Sequence, residues 1–285
     1  MATVTMAGVA AHFGRDIERT LAKLPGVIEQ ARERGVDLLV LPDATIGGYL
    51  YDLQHPSVEV DSAPRAVDLD GPEVSAVAAL ARDMTVCFGV AERAGVDGAE
   101  VRYNTAVCVT GDGILGTHRK VHLPLGESNV YRAGDEFSAF DTPVGRLGML
   151  IDFDKTFPES ARSLALDGAE ILACLSAWPA SVTDRSDRIR NDRQAHLFDL
   201  YDSARAAENQ VYLVSSNQTG VLGGLRFLGQ AKIVDPAGEI VAKTWAKGGL
   251  AIATADVSAS IARARRSLNH INQRAEHAYR CTTSV

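Results

Sequence analysis

Basic residues are in short supply: 29 Lys and Arg stand against 36 Asp and Glu, a formal charge of −7. That balance offers no general attraction to phosphate backbones or anionic lipid. The densest basic stretch, ARARRSLNHINQR from Ala262 to Arg274, reads as a solvated helix face or a subunit contact. Long apolar runs are missing too. The strongest, Gly35 to Pro42, is broken by Asp37 and falls far short of the roughly 20 residues that span a bilayer. The amino terminus, MATVTMAGVAAHFGRD, has no basic segment, long apolar segment or cleavage pattern, so the expected location is the cytoplasm, with neither nucleic acid nor membrane as partner. Cysteine is scarce, at positions 87, 108, 174 and 281, and no pair has metal-ligand spacing. The first three lie in apolar segments that read as strands, which predicts buried reduced thiols. Phosphate loops are absent: Gly47 and Gly48 in TIGGYL belong to neither GxGxxG nor GxxxxGKS/T and read as turn residues.

What is present is apolar material for a large core, 46% of 285 residues, with no linker, low-complexity tract or solenoid repeat to divide residues 1–285 into more than one domain. TVTMAGVAAHF reads as a first strand, Asp16 to Glu33 as a helix interrupted at Pro25, and VDLLVLPD as a buried strand ending in a carboxylate. A helix at about 71–83 leads to TVCFGVAE, a strand ending in Glu92. YNTAVCVT and GILGTHRK flank a hairpin turn at 111–113. RLGMLIDF and ILACLS are strands on either side of the helix FPESARSLALDGAE. A helix over 189–208, the strand VYLVSSN, a hairpin in LGQAKIVDPAGEIVAKT, the strand GGLAIATADV and a basic tail helix complete the chain. Strand–helix alternation mixed with hairpins predicts an α/β fold of two packed sheets with helices outside.

Several segments occur in an order that resembles the carbon-nitrogen hydrolase (nitrilase) superfamily over nearly the whole chain: VDLLVLPDATIGGYL, YNTAVCV, GTHRKVHLP, GRLGMLIDFDKTFPE, SAW at 176–178, SARAAENQVYLVSSNQTG and KIVDPAGEI. The resemblance implies a four-layer αββα sandwich, association into homodimers or higher homo-oligomers, and metal- and cofactor-free hydrolysis of nitriles, amides or carbamoyl amines. It places the family's glutamate base at Asp43, its lysine at Lys120 and its cysteine nucleophile at Asp152, so both acids depart from the pattern. Glu127 falls near a further family glutamate that helps place the lysine. Tyr49, Phe153 and Trp178 fall on the substrate pocket, and Arg205 with Glu208 on a supporting network behind it. Thr156 replaces a customary arginine, which leaves less positive charge to face a substrate carboxylate.

The residues are informative without the resemblance. Asp43, Glu92 and Asp152 each follow an apolar strand run, and strand ends feed the crevice where α/β sheets keep their sites. Asp43 and Asp152 converging on Lys120 would titrate together and could move protons. Asp43 is the expected general base and Lys120 the group that stabilises developing negative charge. Aspartate does not replace a thiolate conservatively: its attack on an amide makes an uphill mixed anhydride, whereas activating water or attacking saturated carbon is reasonable. The reading is a cofactor-free enzyme acting on a small C–N-containing molecule through an Asp-Lys-Asp centre. Its alternatives are a non-hydrolytic elimination, cyclisation or carbon-centred displacement, a silent ligand-binding homologue, and an inactivated amidase. His118 and His122 lie four apart and flank Lys120, but a strand or loop does not bring such a pair together as a helix would, and no third ligand is evident, so no metal site is expected. Tyr131 joins Tyr49 and Trp178 as a candidate wall.

Overall fold

The computed structural model describes residues 3–54 and 63–279. Its first sheet contains β1 (Val4–Ala11), β2 (Leu38–Val40), β3 (Thr85–Val96), β4 (Ala99–Thr110) and β5 (Gly113–Arg119), with α1 (Ile17–Arg32) and α2 (Pro72–Ala81) in the crossovers that flank β2. The second is built on β6 (Phe140–Thr142), β7 (Gly145–Ile151), β8 (Ile171–Leu175) and β9 (Tyr212–Ser215), with α3 (Pro158–Leu166) and α4 (Arg193–Asn209) between its parallel strands. The chain then returns through β10 (Asn217–Gln218) to the first sheet, makes a small ribbon of β11 (Val221–Leu222) and β12 (Leu225–Arg226), and adds the hairpin β13 (Lys232–Val234) and β14 (Ile240–Lys243) to the second. Finally β15 (Gly249–Ala255) lies antiparallel along β1, and α5 (Val257–Ala264) follows.

Strands β1 to β3 and β7 to β9 pair in parallel. Parallel strands buried on both faces read as unbroken apolar runs, which is why VDLLVLP and RLGMLI lack alternation. Leu38 and Val40 point inward against Met149, Ile151 and Ala173 of the other sheet. Leu39 and Leu41 point outward under Leu24 and Ile28 of α1 and Val77 of α2. On the far side Leu150, Leu172 and Leu213 meet Leu164 of α3 and Ala206 of α4. The layers are therefore helix, sheet, sheet, helix, the expected αββα sandwich. Each fully buried Leu or Ile in these layers contributes about 1.5–3 kcal/mol relative to exposure.

Four expectations need correction. Helix α1, started by the Asp16 side chain accepting from the Arg19 N–H, runs through Pro25 without a break. Strand β3 does not stop at Glu92 but continues to Val96 and turns at Asp97-Gly98 into β4, a turn signal as plain as the one at Asp112-Gly113. The 189–208 helix is a short 3-10 turn, Ile189–Asn191, followed by α4, which Asp192 caps by accepting from the Gln194 N–H. The basic tail helix ends at Ala264, so most of the Ala262–Arg274 stretch is turn. Cys87, Cys108 and Cys174 are buried free thiols, and burial pushes the Cys174 thiol up to about 12. Cys281 lies outside the described residues.

Candidate active site

Asp43 follows β2, Lys120 follows β5, Asp152 follows β7 and Trp178 follows β8, and these segments meet at one end of the sandwich. The Asp43 loop can lie on β3 because residue 89 is glycine: a Cβ there would sit 2.4 Å from the Ala44 nitrogen and 2.9 Å from the Asp43 Cα. Gln218 Nε2 donates to the Asp43 carbonyl at 2.9 Å and fixes the loop from β10. The predicted turn at Gly47 and Gly48 is present, with φ of 92° and 70°, and it delivers Tyr49.

Asn104, which the sequence reading missed, holds two parts of the site together. Its Nδ2 donates to Asp43 Oδ2 at 3.1 Å, while its carbonyl accepts from the Lys120 N–H at 2.8 Å. The signal was one amide in the otherwise apolar second half of β4, in YNTAVCV. Lys120 Nζ donates to Glu127 Oε1 at 2.8 Å and stands 3.6 Å from Asp152 Oδ2. The Tyr49 hydroxyl donates to the same Glu127 oxygen.

Asp152 sits where β7 turns sharply into a 3-10 helix, Asp152–Thr156, with φ of +50°. A left-handed conformation at a non-glycine residue costs about 1 kcal/mol or more, and here it aims the side chain out of the strand end. Asp43, Lys120 and Glu127 are wholly buried, whereas Asp152 retains 4% exposure. Of these four, Asp152 alone lines the cavity of about 510 Å³ that opens beside it. Tyr49, Phe153 and Trp178 line that cavity, and Tyr131 does not. Leu53, Leu123 and Val182 supply further walls, one from each of three loops between the strands.

Three carboxyls share one ammonium in this interior, and each is harder to ionise than usual. Burial pushes Asp43 up to about 8, against the pull of Lys120 and with the repulsion of Asp152 and Glu127 added. Burial also raises Asp152, opposed by Lys120, by Lys155 and by the Ala177 N–H. It raises Glu127, opposed by Lys120 and the Tyr49 hydroxyl. Burial alone would lower Lys120, but Glu127, Asp152 and Asp43 outweigh it and hold the ammonium charged. The arrangement is a charged lysine among three carboxyls that titrate as a coupled set, each shifted towards its protonated form. One oxygen on each acid, Asp43 Oδ1, Glu127 Oε2 and Asp152 Oδ1, is buried without a hydrogen-bond partner.

Two further clusters support the elbow. Contrary to expectation, His118 and His122 do converge, on opposite oxygens of Asp154: His118 Nε2 is 3.0 Å from Oδ2 and His122 Nδ1 is 2.9 Å from Oδ1. Asp154 also accepts from the His122 N–H at 2.9 Å and more weakly from Val121 and Ile151. It thus ties the Lys120 segment to the Asp152 segment. Burial would raise its pKa, but the two histidines and the backbone donors hold it below the ordinary carboxylate range. Behind the elbow, Lys155 and Lys232 each donate to Asp202 at 2.8 Å, all three fully buried. Arg205 donates to the carbonyls of Lys155 at 2.8 Å and Thr156 at 3.0 Å and pairs with Glu208. Glu92, read as a crevice acid, is a structural partner instead: it accepts from Thr105 at 2.6 Å and from Arg119 at 2.9 Å within the first sheet. Among the described residues no group of three or more His, Cys, Asp or Glu is arranged to hold a metal ion, and no helix is long and apolar enough to cross a membrane.

A sequence model of the carbon-nitrogen hydrolase family matches residues 2–266. The chain is 32% identical over 226 residues to a nitrilase of Pyrococcus abyssi, covering 79% of this chain and 78% of that one. Among solved structures, a carbon-nitrogen hydrolase from Helicobacter pylori superposes with a TM-score of 0.83 at 25% identity, with 97% of both chains covered. A mutant amidase from Nesterenkonia sp. superposes with a TM-score of 0.73 at 21% identity, covering 96% of this chain and 94% of that one. That amidase carries the acetamide moiety of fluoroacetamide on its active-site cysteine.

Proposed function

Because the chain belongs to the carbon-nitrogen hydrolase family, we propose that it hydrolyses the C–N bond of a small amide or carbamoyl amine, with Asp152 activating water where a thiolate would otherwise attack carbon. One observation carries this reading: Asp152 is the only member of the charged cluster that reaches the cavity, and it does so 3.6 Å from a buried, charged lysine with one oxygen unpartnered. The Nesterenkonia amidase is named as bearing a covalent adduct on a cysteine. A carboxylate in that place would form a mixed anhydride that collapses back to amide. As a base it faces no such obstacle.

In the proposed reaction, Asp152 takes a proton from water as the oxygen bonds to the carbonyl carbon, and the carbonyl π pair moves onto oxygen. The Lys120 ammonium stabilises that developing charge in a dry site, where it acts most strongly. As the tetrahedral species collapses and the C–N bond breaks, Asp43, which does not itself reach the cavity, gives its proton through Asp152: the proton on Asp152 passes to the leaving nitrogen as the Asp43 proton replaces it. The proton held by Asp152 then passes to Asp43 and restores the starting state. The resemblance alone assigns Asp43 the part of base, but a carboxyl that keeps its proton to about 8 is the better acid at neutral pH. Glu127, Tyr49 and Asn104 hold the lysine and Asp43 in place. The steps use only the chain's side chains and water. A homodimer or higher homo-oligomer is the proposed working form, measurable by analytical ultracentrifugation.

The test is ammonia or amine release from a panel of amides, nitriles and carbamoyl amines by the unmodified protein and by Asp152→Asn. Release that disappears in the variant is the expected result, since general-base catalysis contributes about 10²–10⁴-fold. Release that survives in Asp152→Asn would refute the role given to that side chain. Absence of release by either protein would redirect the site to elimination, cyclisation or simple binding.

A further inference from the structure

We infer that the substrate of this site is an uncharged amide or carbamoyl amine whose non-reacting portion is apolar. The inference rests on the hydrolytic reading above and adds the substrate class to it. Among the described residues that line the cavity, Asp152 is the only charged one. The oxygens of the polar side chains beside it are already engaged. Ser181 Oγ donates to Asp192 at 2.8 Å, Gln194 Oε1 accepts from the Trp178 indole at 3.0 Å, and the Tyr49 hydroxyl donates to Glu127. The nearby cations do not line the cavity: Lys120 is buried behind Asp152, where its charge bears on the reacting carbonyl, and Lys155 is buried on Asp202 against the Phe198 ring.

A carboxylate on the substrate would therefore find no free cation among these residues and would be repelled by Asp152. An ammonium would compete with Lys120 for Asp152 and find no second anion. Bringing either charge into such walls carries a desolvation penalty that no partner offsets. An apolar group meets the opposite situation: Leu53, Leu123, Phe153 and Trp178 surround it. Its entrance is apolar too, with Leu125 at 69% and Val182 at 44% exposure on the solvent side of the same cavity. At the reacting end, the Asp152 carboxyl that meets the cavity calls for a hydrogen-bond donor, which the N–H of an amide or carbamoyl group, or the attacking water, supplies.

The experiment compares straight-chain primary amides from acetamide to hexanamide with the half-amide of glutaric acid and an ω-ammonio amide of similar length. Each added methylene that enters the cavity should raise kcat/KM about fourfold, and the two charged analogues should fall at least about a hundredfold below the neutral amide. Equal or better turnover of either charged analogue would overturn the inference. Calorimetric binding of the same amides to the unmodified protein should give the same ranking whether or not they are cleaved. Ranked binding without cleavage would therefore sink the hydrolytic reading and leave the substrate class standing, whereas cleavage without the ranking does the reverse. Val182→Arg places a cation at the exposed entrance, where it disturbs no core, and should narrow the gap for the glutaric half-amide by about tenfold. An unchanged gap would count against the entrance as part of the recognition surface.

Discussion

Replacing Asp43 by Asn should make the protein more stable at alkaline pH while removing its activity. Below about pH 3 the Asp43 carboxyl is protonated in the folded and unfolded chains alike and has no effect on the balance. Between its ordinary value of 3.8 and the folded value of about 8, the unfolded chain releases the proton and the folded chain keeps it. Stability is lost over that interval as pH rises, at up to about 1.4 kcal/mol per pH unit. Four units bound the effect at about 6 kcal/mol, with the coupling among the three carboxyls reducing it. Asparagine copies the protonated acid in shape and can still accept from Asn104, so it keeps the folded geometry and escapes the penalty. Urea unfolding of both proteins from about pH 5 to about pH 9, at one protein concentration, measures the difference directly. The gap in favour of Asp43→Asn should widen up to about pH 8 and then level off. Glu127 and Asp152, raised in the same direction, remain in both proteins and largely cancel. Parallel stability profiles would show that Asp43 ionises normally in the fold, and with that the proton donor of the proposed reaction would be gone.

Other perturbations reach the same machinery by different routes. Asp154→Ala removes the acceptor shared by two histidines and three backbone N–H groups, and should destabilise by about 2–5 kcal/mol. Because Asp154 is held below the ordinary carboxylate range, that gap should shrink as denaturation is followed below about pH 4. Lys232→Met leaves buried Asp202 with one lysine in place of two and should lower stability by about 3–5 kcal/mol in thermal unfolding. A loss below 1 kcal/mol would mean that solvent reaches the pair. Gly89→Ala pushes a methyl group into the backbone at residues 43–44, and should cost about 1–3 kcal/mol and reduce turnover more than KM.

The sheets were legible because their central strands are apolar on both faces, and a run such as VDLLVLP admits few other interpretations. Strand ends were harder. Glu92 looks like Asp43 and Asp152 in sequence, an acid after an apolar run, yet the strand continues past it because Thr105 on the adjacent β4 and Arg119 on β5 beyond it satisfy the carboxylate. That partnership spans 13 and 27 residues and leaves no local mark. The convergence of His118 and His122 escaped for a related reason. Their meeting point is Asp154, contributed by the other sheet. Asn104 was hidden by its modest chemistry, an amide in a strand, although it is the residue that joins Asp43 to Lys120. The proposal of Asp43 as acid rather than base depends on a count of charges in a dry interior, which no motif records.

The pairing of β15 with β1 along their length, from Val4 opposite Ala255 to Ala10 opposite Gly249, also sets an order of events. Strand β1 must wait for the much later β15 before the sheet that carries Asp43 and Lys120 is closed along that flank. Contacts of such sequence separation form slowly, and until they form one flank of β1 offers unpaired backbone to any neighbouring chain. A ribosome stalled before Gly249 would therefore hold a chain with Asp43, Lys120, Glu127 and Asp152 already synthesised and an adhesive edge still open, which only the arrival of β15 covers.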